Sequence, residues 1–167
     1  MPGASATEIV HALKYDGWAA AVDGMAERMA RLSWPDDVLL ERSLLVPVPL
    51  AAARRRERGY NQSELLARAL GARWCVRVDG EALVRTRETQ SQTRLTPGDR
   101  LRNVAGAFRA AQRATAGLRG AHVVLVDDVV TTAATLNSCA AALMHAGARI
   151  ISYVTFGRAR QAGDRPF

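Results

Sequence analysis

The sequence predicts an α/β fold in which helices flank a parallel sheet. Its second half carries the order strand, helix, strand: an apolar β-branched run at 123–126, a helical pattern at 134–146 and a second apolar run at 150–156. Such alternation favours parallel strands, whose ligands bind in the crevice beyond the carboxyl ends of the strands. At 167 residues a single domain is expected, with an N-terminal helical segment at 1–40 and the core at 41–160.

Periodicity and turn residues assign the first elements of the chain. Apolar residues at three- and four-residue steps across 6–32 predict an amphipathic helix, or a helix pair with a hinge near Gly17. The apolar run 44–48 predicts a buried strand. Because Pro47 and Pro49 restrict the backbone there, this strand is expected to lead into a constrained loop, which is dense in arginine.

The middle of the chain is expected to hold one helix and two short strands. The apolar pattern at 59–70 predicts a helix, and Asn61 or Ser63 is its candidate N-cap. Strands are predicted at 74–78 and 82–84, on either side of an Asp-Gly turn.

The charge balance points to an anionic partner. The chain has 23 basic and 16 acidic residues, a net charge of +7, and Lys14 is its one lysine. Arginine binds phosphate and carboxylate oxygens through two parallel hydrogen bonds. The charge does not separate nucleic acid from a small phosphorylated metabolite, and an arginine- and alanine-rich composition is equally consistent with coding bias.

Cysteine, histidine and hydropathy patterns argue against several other classes. Cys75 and Cys139 form no CxxC pair, so we expect small core thiols, no zinc site and no disulfide framework. His11, His122 and His145 are scattered and are expected to be surface or satisfied polar residues. No run approaches the ~20 apolar residues of a membrane span and no export signal is visible, so a cytoplasmic protein without membrane insertion is expected.

Two adjacent carboxylates follow the strand at 123–126. Asp127 and Asp128 are expected where that strand stops, facing the crevice, and paired like charges favour a cation or a hydroxyl-rich ligand. Residues 130–135 lead into the next helix, where N–H groups and threonine hydroxyls can bind a phosphate. Taken alone, the two aspartates also fit a plain strand end, and the threonines also fit a plain helix cap. In this order and spacing they indicate a sugar phosphate.

The segment VVLVDDVVTTAATL at 123–136 resembles the signature with which type I phosphoribosyltransferases bind 5-phosphoribosyl 1-pyrophosphate (PRPP). The resemblance implies that Asp127 and Asp128 are catalytic and hold the ribose hydroxyls, directly or through Mg²⁺. It also implies that the turn holds the 5-phosphate of PRPP. The residues of that turn are Thr131, Thr132, Ala133, Ala134 and Thr135.

Longer stretches resemble the ComF-type branch of that superfamily, which is related to competence protein F. They are HALKYDG at 11–17, LLVPVPLAAARRRERGYNQSELLARAL at 44–70 and RTRETQSQTRLTPGDRLRNVAGAF at 85–108. The run Arg-Gly-Tyr-Asn-Gln at 58–62 is fairly specific for the branch. The resemblance covers nearly the whole chain and implies a type I phosphoribosyltransferase-like sheet with a small N-terminal helical hood.

The same resemblance implies roles for the arginines. Superfamily members bind pyrophosphate beyond the first strand, although a solvated basic loop is the alternative here. Residues 86–102, which lack apolar periodicity, correspond to the mobile loop that closes over the reaction, and their Arg87 and Arg94 would stabilise the departing pyrophosphate. The candidate pyrophosphate ligands in the earlier loop are Arg54, Arg55 and Arg58.

The chain departs from the family pattern at two points. The phosphate turn usually carries glycine where this chain has Ala133, and an alanine held at positive φ costs about 1 to 2 kcal/mol. Many ComF-type proteins also begin with a cysteine-rich zinc module. The match here starts directly at the helix that follows it, so either the module is absent or the start was chosen too late.

The expected function is therefore phosphoribosyl transfer from PRPP, with Mg²⁺ and release of pyrophosphate, to an unknown acceptor. The alternative is a non-catalytic accessory protein of DNA uptake that binds single-stranded DNA or senses nucleotides. PRPP or a related sugar phosphate is the expected ligand. Single-stranded DNA, competence proteins and a second copy of the chain are further candidate partners.

Overall fold

The computed structural model describes residues 19–87, 106–130 and 133–158. The helices are α1 (Ala19–Ala30), α2 (Asp36–Glu41), α3 (Ala52–Arg58), α4 (Gln62–Trp74), α5 (Thr115–Leu118) and α6 (Ala134–His145). The strands are β1 (Arg42–Pro47), β2 (Arg77–Val78), β3 (Leu83–Arg85), β4 (Phe108–Ala110), β5 (His122–Val130) and β6 (Ile150–Arg158). A short 3₁₀ turn, Gln112–Ala114, leads into α5.

Four parallel strands form the main sheet in the order β2, β1, β5, β6. Helix α4 connects β1 to β2 and α6 connects β5 to β6, so the chain leaves the central pair in opposite directions. The strand order therefore reverses between β1 and β5. In open α/β sheets the crevice at the carboxyl ends of such a pair is the usual ligand site. The predicted parallel sheet flanked by helices is confirmed.

Apolar side chains cover both faces of the central strands. Those packed with α6 are Leu44, Val46, Val123 and Leu125. Those packed with α1 and α4 are Leu45, Val124 and Val126. Each of the seven is 1% exposed or less. Because both faces are buried, the strands appear in the sequence as continuous apolar runs rather than as alternating ones.

A second, two-stranded sheet pairs β3 with β4 in antiparallel orientation. Leu83 and Phe108 bury their side chains in the same core layer as α6, which fixes this hairpin against the main sheet. Strand β3 confirms the strand predicted at 82–84. The predicted loop 86–102 lies between the two strands, and its residues from position 88 onward fall outside the described part of the chain.

Two elements and one residue differ from the sequence prediction. The arginine-dense loop is helix α3, because alanine and arginine are strong helix formers, and it ends at Gly59 with φ 77°. The strand expected at 74–78 shortens to β2, because α4 continues to Trp74. Cys75 then takes a left-handed conformation, φ 54°. Its side chain is exposed, so the expectation of a core thiol at this position is wrong.

The two histidines in the described segments lie far apart in the fold. His122 is buried at the amino end of β5, and its Nε2 lies 2.9 Å from the hydroxyl of Ser152. Burial lowers its pKa, since desolvation disfavours the charged imidazolium. His145 is exposed at the end of α6. Neither helix α6 nor any other helix in the described segments is both long and apolar enough to cross a membrane.

Candidate functional site

The acidic pair lies beside the carboxyl end of β1. Strand β5 pairs with β1 as far as Val126, which is opposite Pro47. It then continues to Val130, paired with β6 alone. The strand therefore does not stop before Asp127 and Asp128, as the sequence predicted, but runs through them because β6 supports it. The two residues stand where β1 has ended, at the crevice between the diverging halves of the sheet.

Backbone and side-chain donors orient the two carboxylates. Asp128 is 8% exposed and Asp127 is half-buried. Asp127 Oδ1 accepts hydrogen bonds from the Ser63 hydroxyl at 2.8 Å and from the backbone N–H of Asp128 at 2.9 Å. Asp128 Oδ1 accepts a bond from Val129 N–H at 2.8 Å. These contacts hold both carboxylates in fixed orientations at the crevice.

The start of α4 forms the second wall of the site. Asn61 caps this helix: its Oδ1 accepts from Ser63 N–H at 3.2 Å, and its Nδ2 donates to the carbonyl oxygen of Val48 at 3.0 Å. Asn61, Gln62 and Ser63 are all buried. The sequence offered Asn61 or Ser63 as the cap, and the structure selects Asn61; the contact between Ser63 and Asp127 was not predicted. Its only sequence signal was the polar run inside the ComF-type motif.

The start of α6 forms the third wall. Ala133 caps this helix with φ 56° and ψ 6°, the left-handed conformation that glycine adopts most easily. The alanine therefore keeps the backbone shape that the family's glycine would supply, and its carbonyl oxygen accepts the N–H of Asn137 at 2.8 Å. Ala134 and Thr135 form the first turn of α6. The other two predicted phosphate ligands, Thr131 and Thr132, lie outside the described residues.

Replacing Ala133 by glycine is expected to raise the free energy of unfolding by up to about 1 kcal/mol. A side chain at positive φ costs roughly 1 to 2 kcal/mol, and the larger conformational freedom of glycine in the unfolded chain offsets part of the gain. Urea denaturation followed by circular dichroism measures the change. Ala141→Gly is the matched control, because Ala141 is exposed and helical on α6, and glycine there is expected to lower the stability by about 1 kcal/mol. An Ala133→Gly variant that is no more stable than the wild type would show that the turn holds alanine without strain.

The predicted pyrophosphate arginines lie on α3, directly after the end of β1. Arg54 and Arg55 are exposed and Arg58 is partly buried. Arg55 lies 3.8 Å from a carboxylate oxygen of Glu64 in the first turn of α4, and Arg68 approaches the same carboxylate at 2.8 Å. The contact with Glu64 places Arg55 beside the first turn of α4, the turn that also carries Ser63.

Of the two arginines predicted for the closing loop, one lies within the described residues and the other does not. Arg87 is exposed at the point where the chain leaves β3. Arg94 lies outside the described residues. Their assignment to the departing pyrophosphate stays a prediction.

The buried thiol of Cys139 lies on the α6 side of the crevice. It is fully buried in the core layer of α6, which confirms the prediction of a small core residue. Burial raises the pKa of this thiol far above its ordinary value, and the nearby Asp127 carboxylate raises it further. A thiol held neutral in this way is a packing residue and a poor nucleophile.

The carboxylate pair fits Mg²⁺ in the manner typical of phosphate-binding sites. Within the described segments there is no cluster of three or more histidine, cysteine, aspartate or glutamate side chains that could hold a metal. Mg²⁺ is commonly held by one or two carboxylates together with substrate oxygens and water. Asp127 and Asp128 are adjacent residues of β5 with oxygen-donor side chains, so they suit an ion that arrives with a phosphorylated ligand.

Comparison with known proteins agrees with this geometry. Residues 42–166 match the phosphoribosyl transferase domain family. A solved glutamine PRPP amidotransferase from B. subtilis, in complex with ADP and GMP, shares the fold with a TM-score of 0.53 and 18% identity, over 81% of this chain and 26% of that one. The chain belongs to the phosphoribosyltransferase family.

Curated relatives assign the branch. "DNA utilization protein YhgH" of Escherichia coli (strain K12) is 39% identical over 127 residues, which are 75% of this chain and 51% of that protein. "Competence protein F" of Haemophilus influenzae is 34% identical over 135 residues, 80% of this chain and 55% of that protein. "Competence protein ComFC" of Bacillus subtilis is 35% identical over 105 residues, 62% of this chain and 39% of that protein. This is a ComF-type member, and it spans about half the length of YhgH and competence protein F.

Proposed function

We propose that this chain binds PRPP with Mg²⁺ in the cytoplasm and transfers its phosphoribosyl group to an acceptor, with release of pyrophosphate. The observation that carries the proposal is the convergence of three elements on one crevice. An oriented carboxylate pair stands on β5 past the end of β1, a left-handed turn follows β5, and the arginines of α3 follow β1. In this proposal the carboxylates serve the ribose hydroxyls, the turn serves the 5-phosphate and the arginines serve the pyrophosphate.

Each part of the ligand has its own protein partner in this proposal. Asp127 and Asp128 accept hydrogen bonds from the ribose hydroxyls. The turn at Ala133 and the first N–H groups of α6 bind the 5-phosphate, which the partial positive charge of a helix N-terminus favours. The guanidinium groups of α3 bind the pyrophosphate through charge-assisted hydrogen bonds. The ligand is thereby held at both ends with its anomeric carbon between them.

Positioning and charge neutralisation do most of the catalytic work in this mechanism. As the bond from the anomeric carbon to pyrophosphate breaks, positive charge grows on the ribose and negative charge on the leaving group. Asp127 and Asp128 lie on the ribose side, and Arg54, Arg55 and Arg58 lie on the leaving-group side, so each developing charge meets its opposite. Mg²⁺, when bound, would neutralise further charge on the pyrophosphate. Arg87 and Arg94 would also stabilise the departing pyrophosphate.

Calorimetry with PRPP and Mg²⁺ tests the proposal directly. The wild-type protein is expected to give saturable heat that depends on Mg²⁺ and is competed by pyrophosphate. Ribose 5-phosphate, which has the sugar and its phosphate but no pyrophosphate, is expected to bind more weakly. A protein that gives no heat with PRPP at millimolar concentration, while folded by circular dichroism, would refute the substrate assignment.

A second function has one specific structural observation in its favour. Helix α3 exposes Arg54, Arg55 and Arg56 on the surface, and relatives carry the names DNA utilization protein and competence protein. We infer from these facts a role as an accessory protein that binds single-stranded DNA. Binding to a phosphate backbone weakens steeply with salt. Loss of DNA affinity with salt, together with no response to PRPP, would favour this role over phosphoribosyl transfer.

A further inference from the structure

The polar residues at the start of α4 have no part in the mechanism above. Their side chains are nevertheless buried at the crevice where that mechanism takes place. Asn61, Gln62 and Ser63 are 7%, 3% and 5% exposed, and burying polar groups is costly unless their hydrogen bonds serve the structure or the site. Ser63 reaches across 64 positions of the sequence to Asp127. A partly buried side-chain hydrogen bond of this range connects two elements that each approach the crevice.

The bond holds Asp127 by one oxygen. The Ser63 hydroxyl donates to Oδ1 at 2.8 Å, and the backbone N–H of Asp128 donates to the same oxygen at 2.9 Å. Two donors from different directions define the plane of the carboxylate. A hydrogen bond to a charged acceptor is also stronger than one between neutral groups. Without the hydroxyl, Asp127 would lose the hydrogen bond that joins it to α4.

Asn61 in turn fixes the position of Ser63. Its Oδ1 accepts from Ser63 N–H, and its Nδ2 donates to Val48 O just beyond β1. The first turn of α4 is therefore attached both to the end of β1 and to the carboxylate on β5. This connection spans the point where the strand order of the sheet reverses.

We propose that Ser63 is a positioning residue for ribose recognition, holding Asp127 in the orientation that meets the ribose hydroxyls, and that Asn61 sets the position of Ser63. The inference rests on the proposed role of Asp127 toward ribose. It assigns tasks to Asn61, the cap of α4, and to Ser63 in its first turn. The ligand chemistry it serves is the diol of a ribose, not the phosphate or the pyrophosphate.

Ser63→Ala, titrated with two ligands, tests this assignment. Affinity for PRPP with Mg²⁺ is expected to fall about tenfold, the typical effect of losing one hydrogen bond to a charged group. Affinity for pyrophosphate with Mg²⁺ is expected to stay unchanged, since pyrophosphate has no ribose. Ser43→Ala is the matched control: Ser43 is an exposed serine at the opposite end of β1 whose hydroxyl bonds the His122 carbonyl at 3.3 Å.

Two outcomes would overturn the inference while the proposed function stands. Wild-type affinity of Ser63→Ala for PRPP would show that the hydroxyl is dispensable. An equal loss for PRPP and pyrophosphate would show that Ser63 only supports the structure. If the wild type itself does not bind PRPP, the proposed function fails first, and the inference fails with it.

A double-mutant cycle gives an independent test. In an Asp127→Ala background, Ser63→Ala is expected to have almost no further effect on PRPP affinity, because its partner is gone. Additive losses would contradict an action through Asp127. If Ser63→Ala proves unstable to urea or heat, Ser63→Cys serves in its place, since the thiol fills the same position and donates only a weak hydrogen bond.

Discussion

Asp127→Asn combined with Asp128→Asn is expected to weaken the binding of PRPP by at least about a hundredfold. Hydrogen bonds to charged groups contribute roughly 1.5 to 3 kcal/mol each, and the double variant removes two charged acceptors from the crevice. Asparagine has nearly the shape of aspartate, so the strand and its neighbours are expected to remain folded. Calorimetry with PRPP and Mg²⁺ measures the loss, and circular dichroism verifies the fold.

The chain supplies its own control for this change in charge. Asp36 and Asp37 are a second adjacent pair, exposed at the start of α2, which leads into the amino end of β1. Asp36→Asn with Asp37→Asn alters the net charge by the same amount at the opposite edge of the sheet. This variant is expected to bind PRPP as the wild type does. Equal affinity of both double variants would mean that the acidic pair on β5 is not the ribose site.

Asn61→Ala is expected to lower the free energy of unfolding by about 2 to 3 kcal/mol. Loss of an N-cap side chain costs roughly 0.5 to 2 kcal/mol. The substitution also removes the donor to Val48 O, and an unsatisfied buried carbonyl costs about 1 to 3 kcal/mol. Urea denaturation followed by circular dichroism gives the difference.

Asn137→Ala is the matched control for this second change. Asn137 is exposed on α6, so its replacement removes no buried contact. Because alanine is the better helix former, this variant is expected to be as stable as the wild type or slightly more stable. If Asn61→Ala were no less stable than Asn137→Ala, the capping contact would contribute nothing to the fold.

The positions of these residues explain why one crevice holds all the candidate groups. Strand β1 ends at Pro47 while β5 continues to Val130, so four residues of β5 extend past β1 as one wall of an opening. The helices that follow β1 and β5 begin at the same edge and on opposite faces of the sheet. Side chains far apart in the sequence, such as Ser63 and Asp127, meet there because the two crossovers diverge.

The left-handed turn at Ala133 shows that the family signature can keep its backbone conformation when alanine replaces the usual glycine. The glycine usual in this turn is replaced, yet the conformation persists. The core residues that follow, Ala134 and Leu136, are 2% exposed, and their burial outweighs a strain of about 1 to 2 kcal/mol at one residue. The turn therefore keeps its shape and carries a cost that glycine would remove.

The sequence by itself determined the parallel α/β class, the central strand, the helix after it and the acidic pair, and it narrowed the cap of α4 to Asn61 or Ser63. These follow from local signals, since apolar runs, capping residues and adjacent charges lie within one or two turns of chain. The ComF-type resemblance, which the comparisons confirm, added the ligand class to which Asp127 and Asp128 are assigned.

Only the tertiary structure decided how β5 continues past the carboxylates and that Cys75 is exposed. It also decided that Ser63 bonds Asp127 and that Ala133 has a positive φ. Each depends on a partner distant in sequence: β6 pairs with the end of β5, and packing of α4 and α6 sets the backbone at Cys75 and Ala133. A local stretch of sequence can predict a helix or a strand from the spacing of its apolar residues. A contact across 64 positions or a strained backbone dihedral arises only when the whole core is assembled.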